Sequence, residues 1–317
     1  MPLGAQKQND KVDLQTNHFE AFHTDIDYAQ KVIELRPDYF EGYKILFSIY
    51  LKLQKFNDIL ELYKIFTDNK EYIDDENLDV KGMTDDLKAY RGKSGSSCPN
   101  FGDWTEAFGD ADVVYGVALT SKISGAYNAA HAAGEDYMES NPGKKVFVLD
   151  SLTTGPELEL IVEKYAELVK AGEDFEAVCE KIQEYLKTTH LMFSLESLQT
   201  FVNNGRVNPA VAAAAKILGI CIVGQASAEG ELQQLHKRRG RAKAIAQIWE
   251  NMKNAGYNGG KVRLRHTFNE ESAKALADII KAEYPNSDIT IGANRGLCSF
   301  YCEPGGVLVG FEGGPLV

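Results

Sequence analysis

Residues 119–127 read LTSKISGAY and follow the apolar run ADVVYGVA without a break. Three hydroxyls, on Thr120, Ser121 and Ser124, therefore stand where a buried strand ends and an alanine-rich helix begins. Hydroxyls beside the free amides of a helix start can cap that helix, or they can cradle a carboxylate or phosphate without a counter-charge. Capping alone accounts for Ser124, which precedes Gly125. Ser121 is the candidate ligand contact, with capping as its alternative. DSLTTG at 150–155 repeats the pattern at the next strand end and carries Asp150, Ser151, Thr153 and Thr154. A third group, Ser96 and Ser97, precedes Cys98 and Pro99 in a turn before a helix. Open α/β sheets bind ligands at the carboxyl ends of their strands, so these hydroxyls are expected to converge on one site.

Other chemistries find less support. GKS at 92–94 lacks the glycine of a phosphate loop, because Leu87 stands five positions before Gly92, and no GxGxxG follows a strand. No GxSxG elbow marks a nucleophilic serine. Cys298 and Cys302 lie four apart in a loop-rich stretch with no second pair and no nearby histidine, so they read as buried thiols rather than zinc ligands. The six histidines are dispersed, and none begins an HxxxH or HExxH pair. No cofactor and no metal are expected.

The chain has 317 residues, 44% of them hydrophobic and 25% charged, with a net charge of -12. That length implies more than one domain, and that charge argues against a nucleic-acid or anionic-membrane partner. The basic run KRRGRAK at 237–243, with Lys237, Arg238, Arg239 and Arg241, stands out against the acidic background. The first residues lack the apolar core and cleavage site of a secretory leader. The longest apolar stretch, near 210–224, is interrupted by Lys216 and is too broken to span a bilayer. Five cysteines without close pairing suit a reduced, cytoplasmic setting.

Three segments are expected to position the hydroxyls. Residues 1–66 read as a helical, tetratricopeptide-like segment, on Pro37, Tyr43, Leu46, Tyr50, Phe56 and Tyr63, with Phe47 and Ile59 departing from that pattern and about one and a half repeats visible. Residues 67–155 read as an α/β domain with a parallel sheet, because the strands VVYGVAL and VFVLD are apolar throughout and alternate with helices. Its opening stretch TDNKEYIDD reads as a turn into a short strand, and MTDDLKAYR as a helix capped by Thr84. Residues 156–317 read as a mixed α+β domain. It has two long helices at about 156–172 and 174–189, then the strand HLMFSL and a hairpin of ILGICIVG with LQQLHK, turning at Gly230. Helix 240–255, strand KVRLRH, helix 270–284 and the strands DITIG and GVLVGFE complete it.

Six stretches, SSCPN, LTSKISGAY, DSLTTG, LQTFVNNGRVNPA, KRRGRAKA and FYCEPGG, resemble in order and spacing the DegV family of bacterial fatty-acid-binding proteins over about residues 67–313. The resemblance implies a long fatty acid in a tunnel between the two domains, no chemistry of the protein's own, and presentation of the acid to a separate fatty-acid kinase. It implies that Ser96, Ser121, Thr120 and Tyr301 hold the carboxylate and that Arg206 and Arg239 face the partner. The helix at 208–216, with AVAAAAK, would offer small side chains to the tunnel wall. Several positions depart from the family pattern: Ser96 stands for a usual Thr, Tyr301 for a His, Glu303 for a Gly and Asn204 for a Gly. The family's first strand, with its TDS-type motif, has no counterpart; LELYKIF at 60–66 is the alternative to a helix for the second strand. Two other functions compete, a serine-dependent acyl hydrolase, which needs a base beside Ser121, and an interaction protein whose lipid site is vestigial.

Overall fold

A computed structural model describes residues 70–90, 92, 94–206 and 219–315. The tetratricopeptide-like segment expected over 1–66 and the AVAAAAK helix lie outside the described residues. Residues 74–91 and 96–317 group into one compact unit, and residues 1–73 with 92–95 into another. Of the second grouping, Lys70–Ile73 carry no regular structure, so the short strand expected there does not form.

The elements of the large unit follow the hydrophobic pattern. Helix α1 spans Val80–Ala89 and α2 Phe101–Phe108. Strand β1 (Val113–Ala118), helix α3 (Ala126–Ser140) and strand β2 (Lys145–Asp150) form a right-sized βαβ unit whose two strands pair in parallel. Helices α4 (Pro156–Lys170) and α5 (Phe175–Leu186) come next. Strand β3 (Thr189–Leu195), helix α6 (Gln199–Asn203) and the hairpin β4 (Ile220–Ala226) and β5 (Leu232–Arg239) follow. The last elements are α7 (Arg241–Asn254), β6 (Val262–His266), α8 (Glu270–Glu283), β7 (Ile289–Ala293), α9 (Gly296–Cys302) and β8 (Val307–Glu312).

Two sheets result. Among the described residues the parallel sheet holds β1 and β2, and the second sheet runs β5-β4-β3-β8-β6-β7. Pairing in the second sheet is antiparallel except between β6 and β7, as the mixed α+β reading requires. Strands apolar on both faces must be covered on both faces. On the small sheet, Phe108, Ala133 and Tyr137 pack against Val146 on one side. Ile161, Tyr165, Val178 and Ile182 pack against Leu149 on the other. The large sheet is covered by α7 and α8 through Ile248, Met252, Leu276 and Ile280. Its opposite face meets Met83, Phe201, Phe300 and Tyr301.

Two local expectations are corrected. Helix α1 starts at Val80, three residues before Met83, because the Asp79 side chain accepts from the Gly82 amide at 3.0 Å. Thr84 lies inside the helix and bonds back to the Val80 carbonyl at 2.7 Å. The stretch holding Cys298 and Cys302 is helix α9 rather than loop; burial pushes the Cys298 thiol up to about 12, and all five cysteines are free.

Candidate functional site

The turn after β1 is tightly wound. The amides of Ile123 and Ser124 both donate to the Thr120 carbonyl, at 3.3 and 3.2 Å, and α3 starts at Ala126 with Gly125 as a cap that has no side chain to offer. Ser124 supplies what Gly125 lacks, its hydroxyl accepting from the Ala126 amide at 3.2 Å. Ser121 does not cap. Its amide donates to Asp150 Oδ1 at 3.1 Å, and its half-buried hydroxyl has no hydrogen-bond partner among the described residues.

Thr120 faces inward. Its side chain is fully buried and donates to the Gly230 carbonyl at 2.9 Å. The Lys122 amide bonds the same hydroxyl at 3.3 Å. Gly230 sits in the β4–β5 turn with φ of +86°. A Cβ there would lie 2.3 Å from Thr120 Oγ1 and 3.1 Å from Leu152 Cα, so only glycine lets the hairpin tip reach the strand ends. The sequence marks Gly230 as a turn residue and nothing more; its contact with Thr120 is set by tertiary packing.

In the loop after β2, the hydroxyls do not all converge. Asp150 Oδ1 faces the site and also takes the Leu152 amide, at 3.3 Å. Ser151 and Thr153 are buried and turn inward, Ser151 Oγ donating to the Thr153 carbonyl at 3.2 Å. Thr153 Oγ1 donates to Glu157 at 2.5 Å.

A second group meets the turn from the other sheet. Ser96 Oγ and Tyr301 Oη are 2.9 Å apart. Arg206 Nη1 donates to the same Tyr301 oxygen, and its guanidinium lies 5.1 Å from the Tyr301 ring centroid. Arg206 Nε donates to the Ile123 carbonyl at 3.0 Å. Ser96, Tyr301, Arg206 and the Ser121 turn thus form one connected network, and Phe201 packs on the Tyr301 ring at 4.9 Å between centroids. No local pattern joins these residues, which are separated by up to 205 positions; the family resemblance groups Ser96, Ser121 and Tyr301 but sets Arg206 apart on the partner side. Glu303, the residue that stands for glycine, follows α9 with φ of +53° and accepts from the Thr200 amide at 3.0 Å.

The basic run is divided by strand alternation. Lys237 and Arg239 lie on the outward positions of β5. Arg238 turns to Gln247 on α7, and Arg241 pairs with Glu196 at 2.5 Å. Among the described residues, no histidine hydrogen-bonds Ser96, Ser121 or Ser124. His190 bonds the Gly314 carbonyl at 2.8 Å, and His131 lies 3.5 Å from Glu135. Among the described residues no cluster of three His, Cys, Asp or Glu side chains could hold a metal, and no helix is long and apolar enough to cross a membrane. A groove of about 530 Å³ lined by Phe147, Phe175, Cys179 and Lys187 opens beside β2 and α5, not at the strand ends.

Known proteins resemble this chain over most of its length. Residues 55–312 match the profile described as an uncharacterised protein of the DegV family. The match begins inside the segment expected to be tetratricopeptide-like, so residues 55–66 go with the family match. A DegV domain-containing protein of Streptococcus pneumoniae is 37% identical over 241 residues, covering 76% of this chain and 86% of that one. Two solved structures share the fold with a TM-score of 0.76 each. One is a DegV family protein from Eubacterium eligens loaded with heptadecanoic acid, 41% identical over 78% of this chain and 89% of that chain. The other is the Streptococcus pneumoniae fatty acid kinase (Fak) B3 protein loaded with linoleic acid, 36% identical over 77% of this chain and 87% of that chain.

Proposed function

This chain belongs to the DegV family, and on that premise we propose that it binds a long-chain fatty acid and presents it to a separate fatty-acid kinase, with no chemistry of its own. The two structures loaded with heptadecanoic and linoleic acid support the ligand class, and the second, a fatty acid kinase B3 protein, supports the partner. In this chain the carboxylate accepts from the Ser121 hydroxyl, with Ser96 and Tyr301 as further donors and Thr120 as the anchor of the turn. The domain boundary falls at 155/156, and the acyl chain runs between the α/β portion and the large sheet. Each methylene removed from water adds about 0.8 kcal/mol. Arg206, stacked on Tyr301, places positive charge beside the headgroup, where a charge-assisted bond is strongest. Arg239, outward on β5, faces the partner, and five unpaired cysteines fit a cytoplasmic setting.

The observation that carries the reading is the Ser121 hydroxyl, which has no hydrogen-bond partner among the described residues, at a strand end where the hydroxyls of Thr120, Ser124, Ser151 and Thr153 are engaged. A hydrolase would need a base on that oxygen, and no histidine bonds it among the described residues. The test is calorimetric titration with linoleic acid and, in parallel, with the alcohol of the same chain. The acid should bind at least about tenfold more tightly, the worth of one charge-assisted bond. Equal affinity for acid and alcohol would remove the carboxylate from the account.

A further inference from the structure

Glu157 is the buried acid that the site leaves unexplained. It is the second residue of α4, it is 3% exposed, and among the described residues only hydroxyls bond its carboxyl. Thr153 Oγ1 donates to Oε2 at 2.5 Å and Thr189 Oγ1 to Oε1 at 2.7 Å. Thr153 lies in the loop after β2 and Thr189 opens β3, so one side chain bridges the end of the small sheet to the middle of the large one. The charged groups on the elements around it are spent elsewhere. On α4 itself, Glu159 pairs with Arg265 of β6 and Glu163 with Arg263 of β6 at 2.7 Å. On β8, Glu312 accepts from Tyr185 at 2.7 Å. On β3, His190 bonds the Gly314 carbonyl at 2.8 Å.

The backbone at Glu157 cannot retreat, because Gly310 of β8 lies against it. A Cβ on Gly310 would come 2.5 Å from the Glu157 nitrogen and 2.6 Å from the Pro156 carbonyl carbon. The loop before it is unusual in the opposite sense. Leu152 has φ of +52°, a conformation that in a residue other than glycine persists only where the surroundings over-determine it, and Gly155 beyond it has φ of +61°. From this loop hangs the Ser121 turn. The Thr120 amide donates to the Thr153 carbonyl at 2.9 Å, and the Ser121 amide to Asp150 at 3.1 Å.

We propose that Glu157 is a positioning residue for the ligand site: clamped between Thr153 and Thr189, its carboxyl fixes the loop from which the Ser121 turn is suspended. Either protonation state can do this. When the carboxyl carries a proton, Oε1–H donates to Thr189, whose hydroxyl then donates to the Leu186 carbonyl at 3.3 Å. Thr153 donates to Oε2 in both states, so the hold on the loop is kept.

Three variants test the role, which for its affinity arm rests on the fatty-acid reading. Glu157→Leu and Thr153→Val cut the link, whereas Glu157→Gln keeps an acceptor for Thr153 and a donor for Thr189. Amide hydrogen exchange at Thr120 and Ser121 should quicken about tenfold or more in the first two, with the β4–β5 amides unchanged. Affinity for linoleic acid should fall by about the same factor, the worth of one buried hydrogen bond. Glu157→Gln should stay within about twofold of the parent on both readouts. Unchanged exchange at Thr120 and Ser121 in Thr153→Val overturns the proposal, and so does a Gln variant that behaves as the Leu variant does. If the parent protein fails to bind linoleic acid, the fatty-acid reading falls and the exchange data alone decide the role of Glu157.

Discussion

Substituting Glu157 by Gln should change how stability depends on pH, by an amount the structure sets. Burial pushes the Glu157 carboxyl from 4.5 up to about 7, against the pull of the Thr153 and Thr189 hydroxyls. A raised carboxyl keeps its proton in the folded protein over a range where the unfolded chain has lost it. Unfolding then releases a proton, and stability falls as pH rises. Below about pH 4.5 both states are protonated and the effect vanishes; above about pH 7 both are ionised and it levels off. The interval is about 2.5 units, and at about 1.36 kcal/mol per unit the loss is about 3 kcal/mol. Glu163 and Glu167, held low by Arg263 and Lys261, contribute in the opposite sense but are common to both proteins. The difference between the parent and Glu157→Gln isolates the one group. Urea unfolding from pH 4 to pH 8.5 should show the Gln variant gaining on the parent by about 3 kcal/mol between pH 4.5 and about pH 7. A difference that does not vary with pH would refute the account of how this carboxyl is buried.

Ser121→Ala and Ser124→Ala should separate binding from capping. The first should weaken linoleic acid by roughly ten- to a hundredfold with little change in thermal midpoint, through loss of a charge-assisted bond. The second should cost up to about 1 kcal/mol of stability and leave affinity alone. The reverse pattern in parallel titration and melting would return the turn to capping. Tyr301→Phe keeps the ring on Phe201 but removes the oxygen shared by Ser96 and Arg206, so affinity should drop about two- to tenfold; unchanged affinity would place the headgroup elsewhere. Arg239→Glu should leave fatty-acid affinity unchanged and slow kinase-coupled phosphorylation of the acid, and equal phosphorylation rates would take Arg239 out of the docking surface.

How much of this was legible in the sequence depends on the range of the contact concerned. The parallel pair β1–β2 was readable because both strands are apolar throughout, and the β4–β5 hairpin because Gly230 sits between two strand patterns. That Ser121 and Asp150 meet was readable from their positions at successive strand ends, and the Ser121 amide bond to Asp150 joins them. Thr153 reads from sequence as converging with them, and the structure turns it inward to Glu157, since nothing local distinguishes a hydroxyl turned inward from one turned out. By position Glu157 is one of two acids in the first turn of α4, a place the helix dipole favours for any carboxylate; its burial beside Gly310 depends on the tertiary packing of α4 on β8. Arg206 was read as facing a partner, and its stacking on Tyr301 depends on a contact across 95 positions. The start of α1 was misplaced because Asp79 and Thr84 are both good caps, and the side-chain bond to the Gly82 amide decides for Asp79.

A fatty-acid carboxylate held by the Ser121 turn should survive native mass spectrometry of the protein purified from bacterial cells. The parent protein should carry a mass increment equal to a long-chain fatty acid, removed by solvent extraction, restored by added linoleic acid and much reduced in Ser121→Ala. A parent protein found only at its own mass, which takes up no linoleic acid after extraction, would contradict that reading of the turn.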